Sequence, residues 1–174
     1  MSIKKIITEP NKILRQKSKD VISVGEDEQK LMDDMLDTMY AANGIGLAAI
    51  QIGIPKRIIV MDISKGEEKK NPLYFVNPVI KNKNAELSTY EEGCLSVPNY
   101  FAEIDRPKKC DVEYLNYYGK KKVLNAEGLL ATCIQHEMDH LEGILFIDYL
   151  SKLKKTMIIK KLSKQKEKPD RIIV

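Results

Sequence analysis

Gln135-His136-Glu137-Met138-Asp139-His140 holds both histidines of this 174-residue chain, in the order His-Glu-x-x-His. On a helix, positions four apart share one face, so both imidazoles reach a single metal ion. The glutamate between them projects nearby and can handle the protons of a water held on that ion. The pattern is short enough to arise by chance on a surface helix, so its surroundings have to decide. Downstream the run continues Leu141-Glu142-Gly143-Ile144-Leu145-Phe146. Phe146 stands where one large group of metalloproteases carries a third histidine, and phenylalanine ligates nothing. Glu142 is only two residues past His140 and faces away from the ligand side. The later acids Asp148, Glu167 and Asp170 lie in or near a lysine-rich tail. A third protein ligand is therefore expected upstream.

The cysteines narrow the search. Cys94, Cys110 and Cys133 are too few and odd in number for a disulfide framework. The first residues carry no apolar signal run before Glu9-Pro10, so free thiols in a reducing compartment are expected. Cys133 shares the helical face of His136 but lies seven residues from His140. That is about 10.5 Å of helix rise, too far for one ion; it reads as a small buried residue. Cys110 opens the alternating stretch Cys110–Tyr117 and is expected inside a strand. Cys94, in Glu91-Glu92-Gly93-Cys94-Leu95-Ser96-Val97-Pro98, sits between a glycine and a proline, in backbone expected to be bent and irregular. Such a position either presents its thiolate to a ligand or buries a loop thiol. Two histidines, one cysteine and an open fourth position would make a catalytic rather than a closed structural set.

Three segments together resemble the peptide deformylase family. Gly44-Ile45-Gly46-Leu47-Ala48-Ala49-Ile50-Gln51 resembles its Gly-φ-Gly-φ-Ala-Ala-x-Gln segment, where φ is apolar. Glu92-Gly93-Cys94-Leu95-Ser96 resembles its E-G-C-L-S segment, and Gln135–His140 its metal helix. The start, Glu9–Arg15, also looks like the family's N-terminal segment, and the likeness covers roughly residues 1–155. The resemblance implies Cys94, His136 and His140 as ligands of one divalent metal ion, with water in the fourth position. It implies Glu137 as the general acid–base, and the Gln51 amide and Leu95 N–H as donors to the developing oxyanion. Extended substrate would lie along Gly44, Ile45, Gly46 and Gly93. Its methionine would enter a pocket lined by Ile45, Tyr90, Leu129, Thr132, Cys133 and His136. The bland alternatives are an ordinary polar residue at Gln51 and an ordinary core-facing helix at 129–136.

What the family implies further is removal of the formyl group from N-formyl-methionyl nascent peptides. It also implies Fe2+ as the physiological ion, with Zn2+ or Ni2+ able to replace it. Two positions depart from the commoner pattern. Asn43 stands where many relatives carry an acid, which puts in doubt a salt link to an arginine such as Arg106. Thr132 stands where an aliphatic residue is frequent.

The rest of the chain reads as an α+β fold, with mostly antiparallel β-sheets around a central metal-binding helix. One catalytic domain is expected over 1–150, followed by a basic helix and tail over 151–174. Leu31, Met32, Met35, Leu36, Met39 and Tyr40 mark a helix over about 27–42. Arg57–Ile63 and Leu73–Ile80 read as strands, and Cys110–Tyr117 with Lys121–Leu124 as a hairpin. There is no 18-residue apolar run, so no membrane span is expected. A cytoplasmic monomer is the expectation. Residues 151–174 hold nine of the 29 basic residues and two acids. Leu150, Leu153, Met157, Ile158 and Leu162 make an apolar stripe, followed after Ser163 by sequence too polar for a helix. The lysine run is either a solvated face or a surface for docking on ribosomal RNA. Two other readings compete with the deformylase: an endopeptidase using the same His-Glu-x-x-His, and a structural metal site in a basic RNA-binding module.

Overall fold

The computed structural model describes residues 2–64 and 69–166. Helix α1 (Glu26–Ala41) begins with Glu26, Asp27 and Glu28 at its positive end and buries Met32, Met35 and Met39 along one stripe. It stops where Asn43 turns left-handed, with φ 55. Strands β1 (Gly46–Ala48), β2 (Ile58–Met61), β3 (Leu73–Lys83), β6 (Lys109–Leu115) and β7 (Lys121–Glu127) form one antiparallel sheet in the order β1-β2-β3-β6-β7. Strands β4 (Leu87–Cys94) and β5 (Val97–Pro107) form a separate two-stranded ribbon.

The continuous apolar run Ile58-Ile59-Val60-Met61 explains the layering. Ile58 and Val60 face α1 with its methionines, while Ile59 and Met61 face the opposite side. Burial on both faces is what a strand between two helical layers requires. Helix α2 (Leu129–Leu141) fills that opposite side, packing Ala131, Ile134 and Leu141 against Ala48, Ile59, Phe75 and Val112. It is buried almost all round, as a central helix must be. A third cluster joins Val97 and Ile104 of β5 to Leu145, Phe146 and Ile147, and to Leu162 of α3 (Lys152–Lys166).

The α+β architecture around a central helix is as the sequence implied, and the helix, strand and hairpin boundaries agree to within about three residues. Three expectations need correction. Cys94 does not sit in an irregular loop but ends a strand, next to a register shift at Gly93/Cys94. In the tail, Leu153 is 72% and Met157 49% exposed, so the buried side of α3 is carried by Ile158, Ile159 and Leu162. The helix also continues past Ser163 to Lys166. Glu167–Val174, and the part of the charged turn at 65–68, lie outside the described residues.

Candidate metal centre

Helix α2 presents His136 and His140 one turn apart, and the end of β4 brings Cys94 between them. One ligand atom from each of the three lies within 4.8 Å of the others. Cys94 Sγ is 3.3 Å from His140 Nε2. His136 Nδ1 is 2.8 Å from Glu92 Oε2, which leaves Nε2 as the ring nitrogen free to ligate. Glu92 is itself clamped by Arg106, whose Nε and Nη2 donate to its two carboxylate oxygens at 2.5 and 3.0 Å. The third arm of the guanidinium, Nη1, donates to Asp139 Oδ2 at 2.8 Å, and the Tyr149 hydroxyl donates to the same oxygen at 2.7 Å. Phe146 stacks against the His136 ring at 6.3 Å between centroids. Arg106 thus pairs with Glu92 and Asp139, and Asn43, whose uncharged side chain put a salt link to it in doubt, ends α1 instead.

Gln51 lies in the short 3-10 helix Ala49–Ile52 directly after β1. Its Oε1 accepts the Ala48 N–H at 2.9 Å, which fixes the amide so that Nε2 faces the centre. Nε2 donates to Ser96 Oγ at 3.0 Å and stands 3.6 Å from Cys94 Sγ. The N-terminal segment staples both pieces from behind: Ile7 N–H donates to the Gln51 carbonyl and Glu9 N–H to the Ser96 carbonyl. Glu137 is buried against the main chain of β1 so closely that a Cβ on Gly46 would overlap its carboxylate. Only glycine allows that approach.

Burial governs the electrostatics. It pushes the Glu137 carboxyl up to about 7, with His136 opposing and Glu92 adding to the rise. Burial would also lower His136, but Cys94 and Glu92 beside the ring hold it well above its ordinary value. His140 falls well below its ordinary value through burial and then the nearby His136 and Arg106. Burial would raise Glu92, yet His136 and Arg106 outweigh it and keep this carboxyl below the usual range. Burial drives the Cys133 thiol up.

Two imidazoles and a thiol at this spacing suit a divalent transition ion. Glu137 Oε2 and His140 Nδ1 are buried without a hydrogen-bond partner among the described residues, a cost that fits a site completed by groups from outside the chain. Except for His140, every residue assigned from the sequence lines one cavity of about 480 Å³. Gly44, Ile45, Gly46, Gln51, Tyr90, Gly93, Cys94, Leu95, Leu129, Thr132, Cys133, His136 and Glu137 all border it. The sequence reading did not single out Pro98, Asn99 and Phe101 on the same wall, nor Arg106 and Asp139 as supports. Glu92 was visible only as a letter in the E-G-C-L-S motif, with nothing to say that it touches His136.

The chain is similar to known proteins along nearly its whole length. The family model for polypeptide deformylase matches residues 3–156. The chain is 76% identical to the peptide deformylase of Pelagibacter ubique (strain HTCC1062) over 174 residues, covering 100% of both. It is 55% identical to that of Rhizobium meliloti (strain 1021) over 164 residues, 94% of each chain. A crystal structure of peptide deformylase from Ehrlichia chaffeensis superposes with a TM-score of 0.90 at 42% identity, covering 95% of this chain and 97% of the other. The same enzyme in complex with actinonin gives 0.91 at 44% identity, covering 97% and 100%.

Proposed function

The chain belongs to the peptide deformylase family, and from that premise we propose that Cys94, His136 and His140 are its metal ligands and Glu137 its proton carrier. The protein is a metal-dependent hydrolase that removes the N-formyl group from the initiator methionine of nascent peptides, releasing formate. The residue assignment rests on one observation above all: three ligand atoms within 4.8 Å of one another, with an unpartnered glutamate oxygen in the adjoining cavity.

When bound, the ion lowers the pKa of its water and polarises the formyl carbonyl. Glu137 takes the water's proton and returns it to the departing amine. Its upward shift brings the carboxyl near the pH at which such a shuttle works best. The Gln51 NH2 and the Leu95 N–H donate to the oxyanion. Gln51 is suited to this because its own carbonyl is tied down by Ala48. Strand β1 is the edge of its sheet and Gly44, Ile45 and Gly46 border the cavity, so an extended substrate pairs along them. Tyr90, Leu129, Thr132 and Cys133 then enclose the methionine, with Gly93 on the substrate's other flank.

We infer Fe2+ as the working ion, with Zn2+ or Ni2+ able to occupy the purified protein. The three free cysteines suit a reducing, cytoplasmic setting. No helix among the described residues is long and apolar enough to cross a membrane. The protein is taken as a monomer in which 1–150 carries the catalysis and 151–174 docks on ribosomal RNA. The supporting feature is the excess of lysine in that segment. Deleting 164–174 should weaken ribosome co-sedimentation at low salt, and an unchanged sediment refutes the docking.

The decisive test is anaerobic turnover of N-formyl-Met-Ala by the iron-loaded protein, with N-acetyl-Met-Ala as control and Glu137→Ala alongside. Formate release should fall by about 10²–10⁴ in the variant. Equal release by both proteins overturns the role given to Glu137.

A further inference from the structure

Phe101 is an aromatic residue in an unexpected place. It lies directly opposite Gly93 in the β4–β5 ribbon, next in chain to Cys94, yet is 68% exposed. Its ring rests on Gly93 so closely that a Cβ there would come within 2.5 Å. It borders the catalytic cavity and also a second groove, of about 490 Å³, between β5 and α3. That groove has an apolar floor of Tyr100, Leu150, Met157 and Ile158, with Lys154 and Lys161 along its helical side and Glu103 on its strand side. Lys154, Met157, Ile158 and Lys161 follow helical spacing, so they form one continuous face of α3. Phe101 and Met157 expose apolar surface in this strip, and charged side chains rim it.

We propose that this groove is an outer substrate track, holding residues of the formylated chain beyond the third and favouring an apolar side chain flanked by acidic ones. The inference rests on the deformylase reading above. The argument for this occupant is continuity. A peptide whose first residue lies in the catalytic cavity advances about 3.3–3.6 Å per residue when extended, and the shared wall at Phe101 leads it to the groove. There an apolar side chain meets Met157 and Phe101, while the two lysines attract neighbouring carboxylates. Selectivity from one such apolar contact is about tenfold in kcat/KM.

The test compares N-formyl-Met-Ala with two formylated octapeptides on the metal-loaded enzyme. One octapeptide carries a leucine between aspartates in its second half; the other carries serines there. The wild type should prefer the leucine–aspartate peptide about tenfold over the serine peptide. Met157→Glu and Lys161→Glu should each remove most of that preference, whereas Met157→Leu should keep it. As a readout independent of turnover, a benzophenone replacing the leucine should cross-link to α3. A wild-type enzyme that treats both octapeptides alike overturns the proposal, as does a preference that survives Met157→Glu. A groove that serves RNA or a second copy of the chain would leave the two octapeptides treated alike. Failure to deformylate even N-formyl-Met-Ala would instead refute the function on which the track depends.

Discussion

Arg106→Ala should be among the most damaging single substitutions outside the metal ligands. Arg106 is 4% exposed and meets Glu92 through two nitrogens at 2.5 and 3.0 Å and Asp139 through the third arm at 2.8 Å. Removing it leaves the buried Glu92 carboxylate with only the His136 imidazole beside it, and Asp139 with the Tyr149 hydroxyl, among the described residues. Breaking a buried pair from one side costs about 3–5 kcal/mol, because an uncompensated charge remains. Two carboxylates depend on this one guanidinium, so the upper half of that range is expected. With a urea m-value of about 2 kcal/mol/M, the unfolding midpoint should drop by about 2 M. The second effect is on the centre itself, since Glu92 orients His136. Disturbing such an outer partner of a ligating histidine weakens metal binding about 10–100-fold. Urea unfolding of chelator-treated protein isolates the first effect, and competition with a coloured chelator measures the second. Arg106→Lys should fall between, keeping a charge but losing the fork. A stability loss below about 1 kcal/mol in Arg106→Ala, with metal retention unchanged, would refute the view that this network holds the site.

Gly46→Ala should cut formate release by about 10²-fold or more while leaving metal content intact, because the new methyl displaces the Glu137 carboxylate rather than a ligand; wild-type turnover in a folded variant contradicts this. Phe146→Ala should cost about 3–5 kcal/mol in chemical denaturation, since its ring is fully buried and stacks on His136. Asp148 gives a pH dependence. Burial would raise its carboxyl, but Lys155, the Leu145 N–H and Arg15 hold it below the usual range. A depressed carboxylate stabilises the fold above its unfolded pKa of about 3.9, and that stability disappears as pH falls through the folded value. Asp148→Asn should therefore lower the Tm at pH 6 and narrow its gap to the wild type towards pH 3. A gap that stays constant shows that Asp148 does not act through its charge.

The parts of this site that could be read from the sequence are those whose spacing is itself chemical. His136 and His140 must be four apart on a helix, and Met32, Met35 and Met39 must share a stripe. The β4–β5 ribbon was harder to see because two of its inward positions are charged, although Ile104 on the same side is apolar and buried. Glu92 and Arg106 face each other across the inside, so the alternation that announces a half-buried strand is broken where the strand supports the metal centre. The tail misled for the opposite reason. Its apolar residues fit a helical stripe, but the core beneath can cover only the flank carrying Ile158, Ile159 and Leu162, which leaves Leu153 and Met157 in solvent.

Cys94 ends a strand of the ribbon, while His136 and His140 stand on the central helix, so the ligands come from two elements joined by about 40 residues of intervening chain. An ion held by all three is then a cross-link in the topological sense. It closes a loop that contains all of β5, β6 and β7 and the first turns of α2. Closing a loop of that length in the unfolded ensemble is worth about 4 kcal/mol on the chain-entropy scale used for disulfides. The same ion that serves the reaction would thus act as a reversible staple between hairpin and helix, one that a chelator can undo without breaking a covalent bond.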